Sequence, residues 1–414
     1  MMRSVPTASR QIGLGLVFAC LAATLAIGFG TKAACTDGDW SDGRQYTRLC
    51  YTDIVPLLGT QQLSSGRLPY LDACDANAPG ECDEYPVLSM WAMRLTAWAS
   101  GDDVTRFFYA NVVLLTVAAF VTTLFLYLMV GVRSLYFALA PTLAVYGFIN
   151  WDLLPVAFAT GATSMYLKRR DVWSGVLLGL GAATKLYPAL LVIPFVAGRF
   201  RSREPDRGIY LAWAAAGTWV AVNLPFAIAS PRSWWEFFRF NSARPADWDS
   251  IWFIVCERAT GEFSCGHTRA INVASGALFA ALVAVVWRWK LARDPGFPRW
   301  TLGLPVLILF LLSNKVYSPQ YGLWLLPWFA LALPNVRLFA LFEATDVAVF
   351  VTRFSWFGRY SGLGGLPIGA FEIAVALRAV ILILCLVAWV RRREPAPKPV
   401  PVEPRDVAAA SAVA

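Results

Sequence analysis

The stretch VWSGVLLGLGAATKLYPALLVIPFVAG, Val172 to Gly198, decides the fold. It is apolar on both sides of Thr184-Lys185-Leu186-Tyr187-Pro188, and each arm is only about a dozen residues, or roughly 18 Å at 1.5 Å per helical residue. A hydrocarbon core of roughly 30 Å needs about 20 residues. Basic clusters bracket the stretch, Lys168-Arg169-Arg170 before it and Arg199, Arg201, Arg203 and Arg207 after it. Short basic loops mark the cytoplasmic side. If both clusters lie on that side, the chain turns back at Lys185 as a hairpin; the alternative is one tilted helix broken at Pro188. A hairpin with arms this short ends below the membrane surface, where irregular backbone survives only if protein buries it or water fills a cavity. Two similar tips occur elsewhere: Asn150-Trp151-Asp152, and Asn314-Lys315-Val316-Tyr317-Ser318-Pro319-Gln320. An intramembrane lysine is a functional-site candidate by default, so Lys185 and Lys315 predict a recessed, cation-lined cavity.

Composition agrees with a membrane class. The 414 residues are 57% hydrophobic and 15% charged, with mean hydropathy +0.53. The net charge of +9 sits mostly in short clusters between apolar segments, including Arg288, Lys290 and Arg293, and Arg391-Arg392-Arg393. That pattern indicates cytoplasmic loops and not nucleic-acid binding. Arg3 and Arg10 precede an apolar run from Gln11 to about Gly30, followed by Ala33-Ala34-Cys35. The run exceeds the 7–15 residues of a signal-peptide core, so it reads as an uncleaved first span. Predicted spans are 11–30, 107–130, 135–148, 153–167, 172–183, 186–198, 209–229, 270–287, 299–312, 321–333, 338–354 and 369–390. The expected fold is an all-α polytopic membrane protein with about twelve transmembrane helices, several short or paired as hairpins. The membrane domain covers 1–393, with external loops at about 31–106 and 230–269. The Pro- and Ala-rich tail 394–414 is expected to be disordered and cytoplasmic.

Alternating sides put both termini inside and both long loops outside. Of eight cysteines, Cys20 and Cys385 fall in spans, and Cys35, Cys50, Cys74, Cys82, Cys256 and Cys265 fall in the outer loops. An oxidising compartment favours disulfides there, with 35–50, 74–82 and 256–265 the simplest of the possible pairings. His267, the one histidine, offers no zinc cluster, and no spacing of carboxylates supports a divalent metal, so neither metal nor cofactor is expected.

The first outer loop is rich in carboxylates. Asp53 differs from the rest because Tyr51-Thr52-Asp53-Ile54-Val55-Pro56-Leu57-Leu58 is an apolar setting. Such a setting raises a carboxyl pKa and suits proton abstraction. Aspartate is also a favoured helix cap, and Asp37, Asp39 and Asp42 are rival carboxylates. Glu84 to Ala99 reads as a helix lying at the outer surface, and Trp234-Trp235-Glu236-Phe237-Phe238-Arg239-Phe240 as an interfacial helix. Asp346 and Arg378 fall near mid-depth on adjacent spans and are expected to pair.

The order of several motifs resembles glycosyltransferase family 87. They are the loop aspartate, Gly66-Arg67-Leu68-Pro69-Tyr70, Glu84-Tyr85-Pro86-Val87, Ala183-Thr184-Lys185-Leu186-Tyr187-Pro188, and Ser318-Pro319-Gln320-Tyr321-Gly322 running on to Pro327. The resemblance implies the GT-C membrane fold and an inverting transfer on the outer face of a bacterial-type plasma membrane. The sugar would pass from a polyprenyl-phosphate donor, mannose in most such enzymes, to an envelope glycan or glycolipid, without a nucleotide sugar. Carried over, Asp53 is the general base, Lys185 and Lys315 hold the donor phosphate, and Tyr317 and Gln320 contact sugar or phosphate. Asp152 and Tyr187, at the neighbouring tips, complete the substrate-binding candidates. Tyr-Pro-Val stands where Tyr-Pro-Pro is commoner, which leaves an arabinose-type donor open. The competing function is a transporter or flippase of a lipid-linked anion, which would use the same lysines without chemistry.

Overall fold

A computed structural model describes residues 7–75, 82–101, 103–261 and 268–393. The chain rises as a helix over Asp171–Thr184 and turns at Lys185. It returns through a 3-10 turn, Tyr187–Leu191, and the helix Val192–Arg201. By Arg199 it is back at its starting level, since the Arg199 guanidinium donates to Asp171 Oδ1 at 2.6 Å and to the Tyr166 carbonyl at 2.5 Å. The stretch is therefore a hairpin, not one tilted helix. Fourteen residues of outgoing helix span about 21 Å, so the Lys185 tip stops short of a full crossing. The third tip behaves alike: Gly303–Ser313 leads up to it, and Pro319–Trp324 with Leu326–Leu331 leads back.

Among the described residues five helical stretches are long and apolar enough to cross a membrane: Gly13–Cys35, Val104–Ala138, Pro205–Ala229, Thr268–Arg293 and Ile368–Arg391. No strand occurs among them. The other expected spans include shorter helices and pairs of them, as the expectation allowed. The segment expected as a span at 135–148 is two short helices, Leu135–Ala138 and Pro141–Tyr146. Pro141 starts the second because proline fits a helix's first turn but not its interior. The expected spans 186–198 and 321–333 likewise begin as 3-10 turns led by Pro188 and Pro319. Helices stand at both segments expected near 84–99 and 234–240, as Val87–Ser100 and Pro231–Ala243.

Two glycines let the hairpin pack against a full-length helix. A Cβ on Gly175 would strike the Leu211 carbonyl oxygen, and one on Gly179 the Ala215 carbonyl oxygen. Small residues four apart allow this backbone approach in a setting where the hydrophobic effect does not drive helices together.

Charge is sorted by end. At one end Arg169 pairs with Glu204, and Arg207 donates to the Arg169 carbonyl and to Asp171. Lys290 meets the Arg392 carbonyl, and Arg392 the Ala332 carbonyl. The opposite end carries the disulfides Cys35–Cys50 and Cys74–Cys82 and all three hairpin tips. The third expected pair includes Cys265, which, with His267 and the 394–414 tail, lies outside the described residues.

Asp346 and Arg378 pair at 3.0 Å, both fully buried, on the helices Val336–Tyr360 and Ile368–Arg391. Arg378 also donates to the Asp249 carbonyl at 3.2 Å and lies 3.7 Å from the centre of the Tyr317 ring. Gly322 passes so close that a Cβ there would collide with the Asp346 carboxylate. Removing one partner of a buried pair leaves an uncompensated charge, at a cost of about 3–5 kcal/mol. Asp346→Asn should therefore lower the melting temperature and folded yield in detergent, and adding Arg378→Gln should restore part of both. A double variant no better than the single one would show that the two charges do not depend on each other.

Candidate active site

Asp53 is set by backbone pairing with a segment almost a hundred residues away. Its N–H donates to the Ile149 carbonyl at 2.9 Å, and the Thr52 hydroxyl donates to the Phe148 carbonyl at 2.8 Å. Asp53 immediately precedes the helix Ile54–Thr60, yet its side chain makes no capping bond. The carboxylate instead accepts from Asn150 Nδ2 at 2.8 Å. The side chain is half-buried. Burial raises its pKa above the ordinary carboxylate value, while hydrogen bonds from Asn150 and Tyr51 and the charge of Arg353 draw it back.

Tyr85 stands on the other side of Asn150, whose Nδ2 also donates to the Tyr85 hydroxyl at 2.8 Å. A clamp fixes this tyrosine. Arg67 holds Asp83 through two bonds of 3.1 and 3.0 Å, and both residues are buried. The Tyr70 N–H donates to Asp83 Oδ1 at 3.2 Å, and the Tyr70 hydroxyl donates to the Tyr85 carbonyl. The Arg67–Tyr70 motif is thus the support of the Glu84–Val87 motif. Sequence reasoning missed this: Asp83 looked like one more loop carboxylate, and only a paired arginine at Arg67 could have marked it.

Tyr85 lines a cavity of about 320 Å³. Lys185, Lys315, Tyr187 and Gln320 line it too, as do Arg244, Tyr321 and Trp324. Lys185 ends its helix in an extended conformation and reaches Asp152 Oδ2 at 2.8 Å. Its Nζ lies 4.6 Å from the centre of the Tyr321 ring. Asp152 is fully buried and accepts from Trp324 Nε1 at 2.7 Å through its other oxygen. Trp324 is stacked between Tyr187 at 4.2 Å and Tyr321 at 4.1 Å, so three rings form one wall.

Lys315 is held differently. Its Nζ donates to the Ser242 and Arg244 carbonyls at 3.1 and 2.6 Å, and no carboxylate pairs with it among the described residues. Burial, reinforced by the Arg244 charge, lowers its pKa to about 8. Arg244 had no signal in the sequence beyond its own charge, because it reaches the cavity from a loop far from the other tips.

Several candidates lie elsewhere. Asp152 sits behind Lys185 and does not line the cavity. Tyr317 is buried under Arg378 and does not line it either. Asp53 joins the cavity only through Asn150 and Tyr85. Of its rivals, Asp37 and Asp42 pair with Arg44 at the exposed surface, and Asp39 accepts the Ser41 N–H at 3.1 Å. Among the described residues no three His, Cys, Asp or Glu side chains cluster as metal ligands would.

The sequence model of glycosyltransferase family 87 matches residues 84–314, more than half of the chain. No curated protein matches it significantly. Among solved structures it is similar to ArnT from Cupriavidus metallidurans bound to undecaprenyl phosphate, with 14% identity and a TM-score of 0.48 over 91% of this chain and 77% of that one. The apo state of the same ArnT gives 14% identity and 0.47 over 91% and 76%.

Proposed function

The chain belongs to glycosyltransferase family 87, and on that premise we propose that it moves a sugar from a polyprenyl-phosphate carrier to a hydroxyl of an envelope glycan or glycolipid. Mannose is the first donor sugar to test. The observation that carries the reading is that Lys185 and Lys315 face one cavity, with Arg244 beside them, and that its wall residue Tyr85 is bonded through Asn150 to Asp53.

In this reading the acceptor oxygen attacks the anomeric carbon as Asp53 takes its proton. The bond from that carbon to the phosphate oxygen breaks on the opposite face. The electron pair leaves with the polyprenyl phosphate, and configuration inverts. The departing oxygen gains charge, so cations fixed in place beforehand stabilise the transition state. Lys185 and Lys315 supply them, and the aromatic wall and Gln320 offer contacts to the sugar. The sorting of charge supports placing the site outside: the basic end would be cytoplasmic by the positive-inside rule, and the disulfide-bearing end with the cavity would face the oxidising side.

Purified protein in nanodiscs, supplied with radiolabelled polyprenyl-phosphate mannose and a glycolipid extract, tests this. Asp53→Asn keeps the shape and removes the base, so transfer should fall about 10²–10⁴-fold while donor binding persists. Near-normal transfer by a folded Asp53→Asn protein would remove Asp53 from the base role.

Lys185→Ala and Lys315→Ala each remove a charge-assisted hydrogen bond, worth about 1.5–3 kcal/mol, and should weaken donor binding roughly 10- to 100-fold. Unchanged donor affinity in both would sink the phosphate role of the lysines.

The activity profile should be bell-shaped in pH. Asp53 must be ionised, and its raised pKa moves the acid limb above the ordinary aspartate range. Lys315 must be protonated, so activity should fall as pH rises through about 8. Lys315→Arg, whose guanidinium stays charged, should lose the alkaline limb at whatever activity it keeps. An alkaline limb unchanged in that variant would assign it to another group.

A further inference from the structure

Asn150 is a buried hub, 1% exposed, that lies between the base candidate and the cation-lined cavity. Its Oδ1 accepts the Trp151 N–H at 2.7 Å. That bond orients the amide and leaves the two Nδ2 hydrogens as its donors. One goes to Asp53 Oδ2 and the other to the Tyr85 hydroxyl, both at 2.8 Å. Both donors are therefore committed.

The frame around the amide is fixed from three sides. The Asp53 backbone is tied to Ile149. Trp151 Nε1 donates to Asn111 Oδ1 at 2.7 Å, and the Thr96 hydroxyl shares that oxygen at 3.2 Å. Tyr85 is held through its carbonyl by Tyr70, and its ring meets Trp151 edge-on at 6.1 Å. The Tyr85 oxygen already accepts from Asn150. Its own hydrogen has no acceptor among the described residues, and Tyr85 lines the cavity.

We propose that Asn150 is a positioning residue of the transfer reaction, aiming the Asp53 carboxylate with one amide hydrogen and turning the Tyr85 hydroxyl proton toward the donor sugar with the other. The proposal rests on the reading of Asp53 as the base. A carboxylate that accepts one fixed bond loses its freedom to rotate, which matters when a reacting hydroxyl must approach within about 3 Å. The same bond favours the ionised form. Because a single amide serves both partners, the base and a sugar contact keep a constant separation.

The test measures Asp53 directly as well as turnover. A protonated carboxyl gives its proton to a water-soluble carbodiimide and adds to its central carbon, and this labelling of Asp53, read by mass spectrometry across pH, gives the midpoint of ionisation without any substrate. In Asn150→Ala the midpoint should move up by about one pH unit, the size of one lost hydrogen bond. In transfer assays kcat should fall about 10- to 100-fold, the donor KM should stay within about twofold, and the acid limb should move up with the labelling midpoint. Tyr85→Phe keeps the ring against Trp151, so it should leave the Asp53 midpoint in place and still lower kcat/KM.

If Asn150→Ala does not yield folded protein, Asn150→Ser, which keeps one donor, takes its place with a smaller shift of the same sign. A midpoint and acid limb equal to wild type in the folded variant overturn the proposal, as does a Tyr85→Phe protein of full activity for the sugar contact. If wild-type protein transfers no sugar from any polyprenyl-phosphate donor but the midpoint still moves, Asn150's hold on Asp53 is upheld and the transferase reading falls.

Discussion

A lysine carried about 21 Å from the basic end on a fourteen-residue helix stands in surroundings that penalise a bare charge, and Asp152 is what makes it tolerable. The ion pair at 2.8 Å is the condition for a recessed tip that bears charge, because an unpaired ammonium in a low-dielectric setting costs several kcal/mol. Asp152 has its second oxygen on Trp324, so the lysine, the aromatic wall and two hairpins are located by one carboxylate. The short arms follow from the same constraint: longer ones would lift Lys185 to the surface, where water would replace Asp152.

The tripeptide Asn150-Trp151-Asp152 extends this logic. Each residue reaches a different part of the site: Asn150 the first-loop aspartate, Trp151 the buried Asn111, Asp152 the Lys185 tip. The first outer loop arrives at the same place by a separate route. Arg67 and Tyr70 brace the chain at Asp83 and Tyr85, and the disulfide Cys74–Cys82 ties the chain next to Asp83. Motifs far apart in sequence are thus halves of single contacts.

What was legible in the sequence follows from which features are local. Arm length, basic clusters and the positions of proline depend on neighbouring residues, and they marked the hairpins. The Asp346–Arg378 pair was readable because only two charges fell at that depth on adjacent spans. The division of 135–148 into two short helices was less so, because apolar content continues across Ala140-Pro141 while the backbone does not. Tyr317 and Gln320, three residues apart on one tip, illustrate the limit within the site. Composition cannot say which faces the cavity, and the turn sends Gln320 into it and Tyr317 under Arg378. Arg244 was invisible for a simpler reason, since loops place charge where tertiary contacts direct them.

The cations at the cavity divide their work. Lys185 is already neutralised by Asp152, so it offers direction and a hydrogen bond more than net charge. Lys315 is held only by carbonyl oxygens, while Arg244 alongside it has Asp247 at 3.9 Å, so Lys315 is the cavity cation without a carboxylate partner among the described residues. For a glycosyl phosphodiester this distinction has a kinetic meaning. The donor carries about one negative charge, and the departing phosphate monoester approaches two, since its second pKa is about 6. Fixed positive charge therefore interacts more strongly with the leaving group as the bond breaks than with the intact donor, which is the condition for raising turnover instead of merely tightening binding. The lysine without a carboxylate of its own is then the one whose protonation state the reaction rate should follow, and its pKa is depressed first by burial and then by the neighbouring Arg244 charge.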